Sequence, residues 1–177
     1  MNAQEIATAI KSLFDKNAST YDVLRVAAHF RRLELEAHLH QKLNGKICDG
    51  PFAGVKCLSS AYASTLAPKL LGTYEKELQQ LLLGLALKVD CFLDVGCAEG
   101  YYTSCIAVAT TLKPIIGVDI SSEALELAQK SALLNNVLDK CYFTSDLTDA
   151  VGRVKGSALV MIDVDGAEIS VIKNIFS

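Results

Sequence analysis

Apolar positions in the first third of the chain recur at helical spacing, which predicts helices separated by short breaks. Residues 2–16 read as one helix. A second is predicted over 21–44, with Ser19 or Thr20 placed to cap it, and Val23, Val26, Ala27, Phe30, Leu33 and Ala37 mark its apolar face. Asn44-Gly45 ends it, since both residues tolerate the left-handed conformation. The stretch 47–58 alternates around Asp49-Gly50-Pro51 and Gly54 and predicts a hairpin or irregular strand pair. Thr73 is placed to cap a helix over 74–88, with Leu78, Leu81, Leu82, Leu85 and Ala86 as its apolar face.

From Cys91 the rhythm changes. Strands are predicted over 91–95, 114–120, 141–145 and 158–164; helices over 101–112, 122–136 and 168–176, with a short one near 148–154. The strands are continuously apolar, as expected when helices cover both faces of a sheet. Strand-helix-strand repetition with short links predicts a parallel α/β sheet with right-handed crossovers. The chain therefore divides into a helical N-terminal extension with a short extended hairpin (1–71) and an α/β domain (72–177).

Composition narrows the function classes. Of 177 residues, 51% are hydrophobic and 21% charged, which is globular rather than disordered. A net charge of −3 gives no overall attraction to nucleic acid, and Arg31, Arg32 and Lys42 read as a solvated helix face. No apolar run reaches the ~18 residues of a membrane span, and Met1 to Ile10 lacks the basic and apolar regions of a secretory signal. The six cysteines are scattered without a C-x-x-C pair, which predicts buried, reduced thiols in a cytoplasmic protein rather than a zinc site. His29, His38 and His40 do not make a ligand set, because His38 and His40 point to different sides of a helix.

Candidate chemistry gathers at the carboxyl ends of the strands, where open parallel sheets bind ligands. Asp94, Gly96 and Gly100 follow the first strand, Asp119 the second, Asp146 the third, and Asp163 and Asp165 the fourth. Any one of these aspartates could simply cap the next helix, and Asp146 before Leu147-Thr148 suits that role. The loop Asp94-Val95-Gly96-Cys97-Ala98-Glu99-Gly100-Tyr101 offers backbone for close approach, and the following helix aims its positive end at it. Asp119 lies about twenty residues on, where a carboxylate grips ribose hydroxyls. A pyrophosphate loop wants G-x-G-x-x-G. Here the spacing is Gly96-x-x-x-Gly100, with Asp94 and Glu99 beside it, which suits a cationic ligand better. Asp163 and Asp165, two apart on one strand, could share a face and raise one pKa by repulsion, making one of them a base. The alternative has Asp165 capping the last helix.

D-V-G-C-A-E-G-Y-Y, then G-V-D-I, then S-D-L, resemble the first three cofactor motifs of class I S-adenosylmethionine-dependent methyltransferases. M-I-D-V-D-G-A-E resembles the I-D-V-E-G-x-E signature of the FkbM-like group, with Asp165 where Glu is usual, and L-L-G-T-Y-E-K-E-L is similar to the segment preceding that group's first strand. The resemblance covers residues 72–174 and implies a Rossmann-like sheet of the class I methyltransferase type. It also implies S-adenosylmethionine as cofactor and O-methylation of a small-molecule or sugar-like acceptor. Asp94 and the backbone of Gly96, Cys97, Ala98, Glu99, Gly100 and Tyr101 would hold the methionine end. Asp119 would bind the ribose, Ile120 would lie against the adenine, and Asp146 and Leu147 would meet the adenine edge. Asp163 would face the sulfonium and acceptor, with Asp165 the other candidate catalytic carboxylate. Tyr74 and Glu75 either close over the cofactor or serve the helix start. No metal is assigned, although Glu168 near Asp163 and Asp165 leaves a divalent ion as an alternative.

The class's seven strands run in the order 3-2-1-4-5-7-6, and four are found here. This predicts a fragment, or a chain completed by a partner, with self-association through the uncovered sheet edge as one outcome. An NAD-dependent oxidoreductase and a non-catalytic cofactor-binding module stay open beside the methyltransferase.

Overall fold

Four short, largely apolar runs become the strands of one sheet in the computed structural model, which describes residues 3–15 and 18–176. They are β1 Cys91–Val95, β2 Ile115–Val118, β3 Cys141–Thr144 and β4 Ala158–Ile162. All pairings are parallel and the order is β3-β2-β1-β4. Every residue of β1 and β2 is buried, which accounts for their lack of alternation. The chain steps from β1 outward to β3 and then returns to the other side of β1. Strand order therefore reverses between β1 and β4, and the crevice of a doubly wound, Rossmann-like fold opens there.

Helices cover both faces. The chain's helices are α1 Ala3–Asp15, α2 Thr20–Lys42, α3 Leu66–Leu71, α4 Lys76–Ala86, α5 Tyr101–Ala109, α6 Ser122–Leu134, α7 Leu147–Gly152 and α8 Glu168–Ile175. One apolar cluster joins Phe92 and Ile115 to the α5 face and to Ile47, Phe52, Val55, Leu66 and Leu70. The other joins Leu93, Val95, Ile116 and Val118 to α7 and α8. The segment 47–58 makes a single antiparallel bridge, Lys46 to Lys56, rather than a paired hairpin. The helix ends predicted at Asn2 and Lys16 lie outside the described residues.

Local chemistry decides the helix starts. Ser19 caps α2 in a capping box: its Oγ accepts from Asp22 N, and Asp22 Oδ2 accepts from Ser19 N at 3.0 Å. Thr73 does not cap α4; that helix begins at Lys76 after Glu75, which sits at φ 44° and supplies no side-chain cap. Nor is the apolar face of α4 as expected. Gln79 and Ala86 are buried, with Leu82 and Leu83 partly so, while Leu78, Leu81 and Leu85 are exposed.

The short helix α3 escapes the periodicity argument because six residues show too little of a period. Its first amides, Leu66 N and Ala67 N, donate to Glu36 Oε1 of α2 at 2.9 and 3.3 Å. Glu36 is itself buried and receives a two-pronged bond from Arg32 at 3.0 and 2.9 Å. Arg32 is thus not part of a solvated face: it neutralises the carboxylate that starts α3. Among the described residues no helix is long and apolar enough to cross a membrane.

Candidate functional site

The turn after β1 brings backbone, not side chains, against β4. Gly96 N and Cys97 N donate to Val118 O at 2.8 and 3.0 Å, and Asp163 N donates to Val95 O at 2.9 Å. The carboxyl ends of β1, β2 and β4 are thereby drawn together. Gly96 has φ 88°, and a Cβ there would overlap the Asp163 carbonyl. Gly100 at φ 75° lets α5 press onto Ala128 of α6.

Above this junction lies a cleft of about 610 Å³, a volume within the usual range for ligand sites. Its walls include Asp94, Gly96, Cys97, Ala98, Glu99, Tyr101, Asp119, Ile120, Leu147, Asp163 and Asp165, so most of the residues picked out in the sequence meet in one place. Gly100 and Asp146 do not line it. Asp146 is exposed and its Oδ1 accepts from Thr148 N at 2.8 Å and Asp149 N at 3.2 Å, which makes it the N-cap of α7. Three strand ends rather than four therefore send a carboxylate into the cleft.

The three carboxylates differ in environment. Asp94 is buried on β1 and accepts from Thr103 Oγ1 at 2.6 Å. Burial raises its pKa to about 6 against that hydrogen bond, and the charges of Asp163 and Asp119 add to the rise. Asp119 accepts from Ala98 N at 3.0 Å on one oxygen and from Ser121 N at 2.9 Å on the other, which leaves a lone pair on each. Asp163 is raised first by partial burial, then by the Glu75, Asp165 and Glu168 carboxylates. It does not share a strand face with Asp165. The strand stops at Ile162, and Asp165 stands in a turn at φ 46°. Asp165 also does not cap α8, whose N-cap is Ala167. Among the described residues no group of three or more His, Cys, Asp or Glu is arranged to hold a metal.

Glu99 behaves differently from the sequence reading. It is buried, and one of its oxygens pairs with Lys69 Nζ from α3. That ammonium also donates to Ser64 Oγ at 2.8 Å and lies 4.8 and 5.1 Å from the ring centres of Tyr74 and Tyr101. Glu99 therefore adds no net charge to the cleft, and its supposed repulsion of phosphate falls away. The anionic character comes from the aspartates. Lys69, Ser64, Tyr62 and Met161 also line the cleft and were not picked out in the sequence. The one signal for Lys69 was a lone cation in the apolar run Leu66–Leu71. Tyr74 lines the cleft as well, while Glu75 accepts from Tyr102 OH at 2.6 Å.

Cys97 is not a nucleophile. Burial, with Asp94 and Asp119 adding, drives its thiol pKa far up, so it stays protonated. Ile120 is the opposite case: a large apolar side chain left 96% exposed at the cleft wall.

Removing Lys69 leaves a buried, unpaired carboxylate. Lys69→Met is expected to cost about 3 kcal/mol in urea denaturation, and Lys69→Met/Glu99→Leu to recover most of it, because an apolar pair replaces an ion pair at little net cost. Equal losses in the single and double variants would mean that the pair is not what stabilises this contact.

Residues 88–145 match the family described as a methyltransferase domain. Among solved structures the chain is similar to an O-methyltransferase from Bacillus cereus in complex with S-adenosylhomocysteine, at 16% identity over 82% of this chain and 61% of that one, with a TM-score of 0.45. It is similar to the O-methyltransferase TomG from Streptomyces achromogenes, involved in tomaymycin synthesis and in complex with S-adenosylmethionine, at 17% identity over 81% and 58%, TM-score 0.45. It is also similar to precorrin-8w decarboxylase from Methanobacterium thermoautotrophicum, at 22% identity over 56% and 54%, TM-score 0.47. The chain spans between 54% and 61% of the length of these three proteins. No curated protein matches it.

Proposed function

We propose that this chain forms the S-adenosylmethionine-binding part of a cytoplasmic methyltransferase of the FkbM-like group, acting on an oxygen of a small-molecule or sugar-like acceptor. The observation that carries this reading is the charge of the cleft. Asp94, Asp119, Asp163 and Asp165 line it, and Lys69, the single lysine or arginine among the lining residues, is already paired with Glu99. Such a site favours a cationic ligand and offers nothing to a pyrophosphate. The rings of Tyr101 and Tyr102 at the start of α5 add to this, because a dinucleotide needs bare backbone there.

The residues present fit the cofactor. Asp119 keeps one lone pair per oxygen for the ribose hydroxyls, and exposed Ile120 offers an apolar surface to the adenine. Asp94 and the amides of the glycine turn take the amino-acid end, and Leu147 lies by the adenine edge. Bound there, S-adenosylmethionine supplies a methyl carbon already activated by positive sulfur. The protein then has to align the acceptor and take a proton from it. Asp163, with its pKa raised, is our choice for the base; Asp165 stands beside it at the mouth. Calorimetric titration with S-adenosylhomocysteine and with NAD tests the reading: binding of NAD alone would replace it with a dinucleotide site.

A pH dependence follows from Asp94. With its pKa near 6, the carboxyl is charged at pH 8 and protonated at pH 5. Affinity for S-adenosylmethionine is expected to weaken below pH 6, by up to about tenfold per pH unit, and Asp94→Asn to flatten that slope. No histidine lines the cleft to mimic this titration. The folded-state pKa of Asp94 lies above its unfolded value. Its stabilising contribution is therefore complete below about pH 4 and is lost as pH rises through 6. Asp94→Asn is accordingly expected to unfold at higher urea at pH 8, by about 2–3 kcal/mol. A variant that binds weakly yet gains no stability would assign Asp94 a structural rather than an electrostatic role.

A further inference from the structure

Residues 58–64 lead into α3, and Tyr62, Ala63 and Ser64 among them line the cleft. They are held unlike the elements around them. None of their backbone amides or carbonyls bonds another backbone group among the described residues. The flanks, by contrast, are fixed. Cys57 N donates to Gly45 O at 2.7 Å, and Leu66 N donates to Glu36 Oε1 at 2.9 Å, so both ends are moored to α2 or to the turn after it. Two side-chain ties hold the middle. Tyr62 OH and Ser121 Oγ share a hydrogen bond at 3.0 Å, and Ser64 Oγ accepts from Lys69 Nζ at 2.8 Å. Ala63, between the tied residues, sits at φ 52°, a left-handed conformation that costs an alanine free energy. A segment with fixed ends, no backbone bonds and a strained crest opens more readily than the core beside it.

We propose that residues 58–64 are a strap that closes over the bound nucleoside, and that Tyr62 both fastens the strap and packs on the ligand. This rests on the adenosine site proposed around Asp119 and Ile120. The places of the two ties carry the inference. Lys69 pairs with Glu99 of the glycine turn, where the methionine end of the cofactor is assigned. Ser121 follows Asp119 and Ile120, where the ribose and adenine are assigned. The strap is thus tied at both ends of the ligand's track. Ile120 is almost fully exposed, so the Tyr62 ring stands off from it although both line the cleft. A planar base resting on Ile120 meets the flat, apolar face of that ring. The tie at Ser121 can also part without dismantling the site. Ser121 N still donates to Asp119 Oδ1 at 2.9 Å, and Ser121 Oγ still accepts from Ala124 N to cap α6. Opening therefore leaves the ribose carboxylate in place, and closing adds a cover to it.

Stopped-flow binding of S-adenosylhomocysteine to the 177-residue chain tests this. Tyr62→Phe keeps the ring and loses the tie. It is expected to raise the dissociation rate about threefold or more without lowering the association rate. Tyr62→Ala loses the ring as well and is expected to raise dissociation about tenfold or more. A variant that merely damaged the fold would bind more slowly, so the split between the two rates separates a cover from a structural prop. Limited proteolysis of the parent adds a measurement that needs no variant. Chymotrypsin cuts after aromatic residues, and saturating S-adenosylhomocysteine is expected to slow cutting at Tyr62 about tenfold or more. Dissociation at the parent's rate in either variant would overturn the proposal, as would cutting at Tyr62 that the ligand does not slow. A parent chain that does not bind S-adenosylhomocysteine at all would instead remove the proposed function, and the strap's ligand with it.

Discussion

Gly96→Ala is expected to lower the unfolding free energy by about 4 kcal/mol or more, enough to unfold a marginally stable domain. Two costs add. At φ 88° an alanine carries the left-handed penalty of about 1–2 kcal/mol. Its Cβ also runs into the Asp163 carbonyl oxygen, and the obstacle is backbone that cannot rotate away. Asp163 N is held by Val95 O, so the end of β4 has to leave β1 or the glycine turn has to leave Val118. Gly166→Ala supplies the comparison. It has φ 97° but nothing within 4 Å of the added methyl, so it bears the backbone penalty alone. Urea denaturation of both variants separates the costs. Equal losses would mean that the end of β4 yields, and that Asp163 is not rigidly placed over the turn.

This contact also explains why the site could be read from sequence as far as it was. Continuous apolar runs identified all four strands, and residues that follow a strand end are placed by topology alone, so Asp119 and Asp163 needed no structure to be found. Strand ends were the limit. A carboxylate just beyond a strand either enters the crevice or turns back to the next helix, and one dihedral angle decides which. Asp146 turned back to cap α7, whereas Asp165, at φ 46°, neither caps α8 nor continues the strand. Contacts between distant segments were not legible either. Lys69 and Glu99 lie 30 residues apart, and Lys69 is delivered only because buried Glu36 on α2 starts α3. Nothing in the local pattern around Glu99 distinguishes a neutralised carboxylate from one that faces the ligand. The aspartates that line the cleft carry its negative charge, while Glu99, which the sequence set beside them, is paired with Lys69.

Asp119→Ala is expected to weaken S-adenosylhomocysteine binding by about a hundredfold or more. In the proposed role each of its oxygens accepts from a ribose hydroxyl, and hydrogen bonds to a charged group are worth about 1.5–3 kcal/mol apiece. The same carboxylate also holds Ala98 N and Ser121 N. Its loss releases the turn, where Ala98 sits at φ 47°, and a weaker ligand alone does not tell the two effects apart. A 2′-deoxy analogue of S-adenosylhomocysteine does. If Asp119 grips the ribose, the parent protein discriminates against the analogue by about tenfold or more, and Asp119→Ala binds the two equally, because the partner of the missing hydroxyl has gone. If Asp119 only orders the turn, both ligands weaken together and the parent's preference survives in the variant. That second pattern would remove the ribose assignment and leave Asp119 as a brace between β2 and the glycine turn.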